Sequence, residues 1–570
     1  MATPSVRLAV LVVTLLGVGR AAAAPRDDLL RVAPPDAALV VVAQNARDHL
    51  KNLSQSPFAE WFPTTRIGAQ LLASADFRKA QAGAAEVFRQ LGTAPDELLD
   101  DVFGDAIVFA FTPGSADNKT AERGVILVRP RKPETLQKVI DQLNDLQKKS
   151  GEVKEVVRRE HNGVGFFERQ RAAEGSEFYF LRGGVFAFSE SESEIRGVID
   201  RERGGNRAPE LVDRLTRLGV GDAAVVLLIN PRAFDADIRS KVAAANRDEK
   251  AFLANFEQVW KALDVAALYL NLGEELEAGA VLRFRPDALP AALKPWIVGP
   301  RTPSGLWAAV PDNALFAAAG RLKVSELIET VGALVPDDGK NGVRAGVEQI
   351  VGSVIGRDIL PAVFDALGPD WAIWAAQPAN GDGFLPVVFA ALQVRTDGPA
   401  GPAAAKELAE AIEFGFRAAR VAYNVAHADQ IELRQVADGN TTIRSLVNDK
   451  AFPAGFRPSF ALKDGYLLLA TTPEAIKAFR PPATAPKPGG EALLARFSGT
   501  TARAYLLAHR TPLAKFLSDA GAGAEKEVLT HLDQFAAVLE LFDRVELLTR
   551  GDDTSTRLIV RVTFAKPLKK

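Results

Sequence analysis

Pro35-Asp36-Ala37-Ala38-Leu39, which opens an apolar strand through Val42, recurs 276 residues later as Pro311-Asp312-Asn313-Ala314-Leu315. The correspondence continues in order. Phe103-Gly104-Asp105 before the strand Ala106 to Phe111 answers Leu367-Gly368-Pro369-Asp370 before Trp371 to Ala376. The turn Asn162-Gly163 answers Asp438-Gly439, and Leu181-Arg182-Gly183-Gly184 answers Leu462-Lys463-Asp464-Gly465, each ahead of an apolar strand. Ser191 with Glu194, and Thr471 with Glu474, read as equivalent capping boxes. Ala224 to Ile229 answers a strand at Ala504 to Ala508, and Val265 to Phe284 answers Val545 to Phe564. The offset drifts only between about 264 and 281 residues, so the pattern reads as a tandem duplication.

This duplication divides the chain into a signal segment at 1–24, a repeat domain at 25–290, a Pro-rich connector at 291–305 and a second repeat domain at 306–570. Pro286, Pro290, Pro295, Pro300 and Pro303 mark the boundary as stiff. A weaker repeat inside each copy pairs a strand with a following helical segment, as at Asn230-Pro231-Arg232 and Thr511-Pro512, both read as an N-cap followed by proline. Phe77, Ala80, Ala84, Val87 and Leu91 fall on one helix face, as do Val343, Val347, Ile350 and Val354 in the second copy. Most strands connect through turns. The fold class is therefore α+β: two tandem pseudo-equivalent domains, each a mainly antiparallel sheet with packed helices.

Ala106 to Phe111, Val225 to Ile229, Trp371 to Ala376 and Tyr466 to Ala470 are apolar at every position. Alternation is the pattern of an antiparallel sheet with one wet face, so continuous runs imply that both faces are covered. The covering layer is either protein or, in a sharper reading, a lipid-like ligand held in a groove.

Arg7, the apolar run Leu8 to Val18 and Ala21 to Ala24 read as a cleavable export signal, with cleavage at Ala23 or Ala24. The chain of 570 residues carries 69 basic and 71 acidic side chains. Loss of Arg7 and Arg20 takes these to 67 and 71, a mature charge of −4. That balance has no footprint for nucleic acid. No later segment is long and apolar enough to span a membrane. The expected compartment is periplasmic or extracellular. There is no cysteine, which excludes disulfides, thiolate metal sites and an N-terminal lipid-modified cysteine.

The chemistry-bearing residues form no catalytic pattern. His49, His161, His427, His509 and His531 lack metal-ligand spacing, and no nucleophile elbow or phosphate-binding glycine loop is present. The acidic pairs Asp100-Asp101, Glu274-Glu275, Asp337-Asp338 and Asp552-Asp553 read as solvated turns, and Asn380-Gly381-Asp382-Gly383 as a hairpin loop. Trp61 and Phe62 read as packing against the first helical segment, with an exposed aromatic contact patch as the other reading. No catalytic, cofactor or metal residue is nominated. The basic residue after each repeated strand, Arg47, Arg232, Arg321 and Arg510, is the candidate anion contact, since a guanidinium beside a helix start suits an anion.

The ordered features at Pro35, Leu39, Gly104 and Gly184, with Pro311, Leu315, Gly368 and Gly465, resemble a family of exported bacterial proteins classed as a domain of unknown function, here in two copies. The resemblance implies export and the repeat, and brings no catalytic residues. The first reading of function is a non-catalytic exported protein that binds a protein or envelope component. The alternatives are a carrier of an apolar or lipid-like ligand, and a hydrolase with a carboxylate site outside known motifs.

Overall fold

A computed structural model describes residues 24–565 apart from 115–121, 174, 205–209, 325, 328–329, 331–362, 365, 379–382, 396–400 and 484–488. The signal segment before Ala24, the helix face Val343 to Val354, the pair Asp337-Asp338 and the loop Asn380 to Asp382 lie outside the described residues. Helix and antiparallel strand dominate, an α+β chain, and its described parts fall into two compact units: 1–48 with 85–221, and 49–84 with 222–570.

The first unit carries seven strands: β1 (Leu39–Gln44), β2 (Ala106–Thr112), β3 (Arg123–Arg129), β4 (Val153–His161), β5 (Val164–Arg171), β6 (Ser176–Arg182) and β7 (Val185–Ser189). They pair antiparallel in the order β1-β2-β3-β7-β6-β5-β4. Three helices cover one face: α1 (Pro25–Val32), and, later in the chain, Glu192–Arg203 and Glu210–Leu218. They contribute Leu29, Ile195, Val198, Leu211 and Leu215, all nearly fully buried. A helix after β3, α2 (Pro133–Ser150), packs Leu136 and Ile140 on part of the other face, against Val128 and Tyr179.

The second unit holds β8 (Val225–Ile229), β9 (Leu263–Leu272), β10 (Glu275–Phe284), β11 (Ala314–Arg321), β12 (Leu367–Ala376), β13 (Val387–Val394) and β14 (Glu432–Asp438). It continues with β15 (Thr441–Val447), β16 (Ser459–Lys463), β17 (Tyr466–Ala470), β18 (Glu491–Ser498), β19 (Phe542–Gly551) and β20 (Ser555–Phe564). The antiparallel order is β8-β9-β10-β20-β19-β18-β11-β12-β13-β17-β16-β15-β14. The stretch β11-β12-β13-β17-β16-β15-β14 has the same order as the sheet of the first unit. A long helix again follows its third strand, α3 (Gly401–Ala426) after β13, and packs Ala404, Ala405 and Leu408 on Leu467 and Val394. The ladder β10–β20 runs through nine residue pairs, from Glu275 opposite Thr563 to Arg283 opposite Ser555.

Turn chemistry explains the tight hairpins. Asn162 and Gly163 both have positive φ (49° and 73°), as do Asp464 and Gly465 (51° and 79°), the conformation that a two-residue turn between twisted strands requires. The boundary prolines form short helical turns at Pro286–Ala288 and Lys294–Ile297, and Gly299 N–H donates to the Asp552 carbonyl. The stretch is thus packed into the second unit.

Three local expectations are corrected. Ala504 to Ala508 is not a strand; it ends a helix, α4 (Gly499–Ala508), whose N-cap Ser498 accepts from Thr501 N–H. Thr511-Pro512 accordingly lies inside the next helix, Arg510–Asp519, and caps nothing. The capping boxes do not form as read. Ser191 makes no side-chain cap, and Glu194 pairs with Arg123 instead. At the second site Thr472 is the N-cap, accepting from Ala475 N–H, while Thr471 accepts from Val388 N–H in the sheet.

Candidate functional site

Of the continuously apolar strands, β17 is buried on both faces over Tyr466 to Leu468, as expected, with Leu467 against α3 and Leu468 in the core. In β2 and β12 burial alternates instead. In β12, Ala372 and Trp374 are buried while Ile373 between them is 40% exposed. In β2, Val108 and Ala110 are buried and Phe109 is 38% exposed, directly opposite the equally exposed Ile126 of β3. One face of each sheet packs the core, and part of the other is apolar without full cover.

In the second unit this open face is continuous across nine strands. Cross-strand partners run Leu270–Ala278–Val560–Leu547–Ala495–Ala318–Ile373–Ala390–Leu469, every position apolar. The next row contains Leu268 and Leu558, half-exposed at 50% and 48%. The opposite face holds the core: Trp374 and Phe389 stack with ring centroids 4.3 Å apart, and Phe479 lies 5.6 Å from Phe389.

At one end of the open face lies a cleft of about 740 Å³. Ala280, Leu282 and Leu558 belong to its sheet wall, and Pro295, Trp296 and Pro300 to its connector wall. Among the described residues, four charged side chains also line it. Lys323 pairs with Glu326 at 2.5 Å, and Arg321 faces Asp370 at 3.9 Å. Arg301 donates from Nη2 to the carbonyls of Trp296 and Ile297 and to Thr556 Oγ1, while its Nε is buried without a partner. Burial lowers the Arg301 pKa. A second cavity, about 500 Å³ beside Trp374 and Phe389, carries Arg457 paired with Glu474 at 2.9 Å.

The four candidate anion contacts are each met by a carboxylate. Arg47 lies 3.4 Å from Asp105, Arg232 3.2 Å from Asp235, and Arg510 2.7 Å from Asp533. Arg232 also donates to the carbonyls of Trp260 and Leu263. Arg510 begins a helix that follows another helix, so it does not follow a strand as expected. Only Arg321 of the four lines the large cleft, and it has the longest ion-pair distance. Arg301, which the sequence reading passed over, sits among the connector prolines.

The remaining polar candidates serve the fold. Asp101 is nearly buried, not a solvated turn residue, and accepts from Lys132 Nζ and Thr135 Oγ1 at the start of α2. Asp552 accepts from the N–H groups of Thr554 and Ser555 within its turn. His161 contacts Asp200 at 2.8 Å, and His49 contacts the Leu272 carbonyl at 2.9 Å. Trp61 and Phe62 flank Phe58, whose ring lies 4.2 Å from Phe564. Among the described residues no group of three His, Asp or Glu side chains could hold a metal ion, and no helix is long and apolar enough to cross a membrane.

No family model matches the chain, and no curated protein matches it. It is similar to a solved structure, crystal form III of TP0453, at 12% identity, covering 47% of this chain and 84% of that one with a TM-score of 0.21. A likeness at that score carries no argument about fold or function.

Proposed function

We propose that the protein is an exported, non-catalytic binding protein whose ligand is apolar and lipid-like, carried on the open sheet face of the second unit. The observation that carries this reading is the nine-strand apolar row with a cleft of ligand size alongside its middle strands. Soluble proteins rarely leave large contiguous apolar patches uncovered unless something binds there. Ligand sites are commonly concave, mostly apolar and rimmed by a few polar groups. Export rests on the signal-like first 24 residues. The two halves stem from one duplicated ancestor, a reading supported by the recurring seven-strand order and by the helix after the third strand in each.

The test is organic extraction and native mass spectrometry of the protein purified from its own cells, with titration by a polarity-sensitive apolar dye. Co-purifying lipid and saturable dye binding that a long-chain lipid displaces are expected. Absence of both sinks the reading, as does turnover of an esterase, phosphatase or glycosidase substrate abolished by a single substitution.

A further inference from the structure

Among the described residues, the charges around the large cleft do not cancel. Lys323 is matched by Glu326 and Arg321 is faced by Asp370, whereas Arg301 has no acidic partner among the described residues. An uncompensated guanidinium that is partly withdrawn from water is costly to keep, and a bound carboxylate would offset that cost through charge-assisted hydrogen bonds. With Nη2 engaged by Trp296, Ile297 and Thr556 and Nε buried, Nη1 is the nitrogen left to meet a carboxylate by a charge-assisted hydrogen bond. Leu282 and Leu558 border the same cleft, and Leu558 leads through Val560 onto the long apolar row. A volume of about 740 Å³ lies within the range for one small ligand.

Resting on the reading of an apolar ligand, we propose that this cleft binds a single long-chain fatty acid, its carboxylate at Arg301 and its chain along Leu558 and the open sheet face. One unmatched positive charge calls for a monoanion. Arg321, with its loose 3.9 Å pair, is the second cation within the cleft that can turn toward the head group. Arg301 also ties the connector to β20 through Thr556. A purely structural tie predicts no preference among head groups.

The experiment uses the full exported chain, stripped of lipid, with displacement of a fluorescent fatty-acid analogue as readout. Oleate, oleyl alcohol and dioleoylphosphatidylglycerol vesicles are the competitors. Oleate is expected to bind one per chain, roughly tenfold or more tighter than oleyl alcohol. Arg301→Met should bring oleate down to the affinity of the alcohol and leave the alcohol unchanged, and Leu558→Asp should weaken both. Equal affinity of oleate and oleyl alcohol for the wild-type chain overturns the head-group assignment while the apolar reading stands. Stronger competition by phosphatidylglycerol overturns the carboxylate in favour of a phosphate head. If neither oleate nor the alcohol binds, the apolar reading falls as well. The wild-type comparison decides the matter even if Arg301→Met fails to fold.

Discussion

The Tyr269 ring lies against Gly279, its direct cross-strand partner on β10, so closely that a Cβ at position 279 would overlap the ring. The ring covers the glycine, its hydroxyl donates to Glu277 Oε1 at 3.0 Å, and the Arg557 guanidinium lies 5.5 Å from its centre. Gly279→Ala should therefore cost about 1–3 kcal/mol through overpacking, read from urea unfolding. Burial, reinforced by the Glu277 carboxylate, pushes the Tyr269 hydroxyl up to about 12. Ultraviolet titration of the wild type should show a tyrosine ionising in that range.

Ile373 and Trp374 are neighbours on β12 that point to opposite faces, 40% and 6% exposed. Trp374→Ala empties a core position stacked on Phe389 and should cost about 3–5 kcal/mol. Ile373→Ser should cost about 1 kcal/mol but abolish or greatly weaken apolar dye binding. Paired measurements of unfolding and dye affinity separate the two faces. Equal losses of stability would refute the asymmetry.

Glu168 accepts two hydrogen bonds from Arg159 and one from Ser176, and these hold its carboxyl below the ordinary value of 4.5. A carboxylate depressed on folding stabilises the native state above its unfolded pKa, and that contribution is lost as pH falls through the folded value. Glu168→Gln should thus lower Tm at neutral pH, with the gap to wild type closing in acid. Arg159 is half-exposed, so the effect should be modest.

Lys463, 9% exposed, donates from Nζ to Asp438 and to the carbonyls of Ile476 and Lys477, the end of the helix Pro473–Ala478. Lys463→Met keeps the volume but orphans those carbonyls. A loss of about 1–3 kcal/mol is expected in urea unfolding, and no change would refute the capping role.

Hairpins were the most legible part of the sequence because their turns demand particular residues. Asn162-Gly163 and Asp464-Gly465 stand at positive φ, as their residue types require. The helix over Ala75–Gln90 was also readable from its spacing, although Phe77 and Val87 remain exposed along it. Short apolar runs misled. Ala504 to Ala508 fits strand or helix equally, and the cap at Ser498 was the signal that would have decided it. Continuous apolarity in β2 and β12 implies two covered faces, yet side-chain type cannot say whether the second layer is protein. The cleft was illegible because Arg301, Arg321 and Leu558 come together only through the pairing of distant strands.

The ladder between β10 and β20 joins residues 272 to 288 positions apart in the chain. During synthesis, β10 must therefore wait with one backbone edge unsatisfied until β20, about 280 residues later, has emerged. An edge of that kind invites pairing with another chain. Late closure by β20 makes Ser555–Phe564 the lock on assembly of this sheet. A frameshift or proteolytic nick there would yield aggregates in preference to a shortened but working protein.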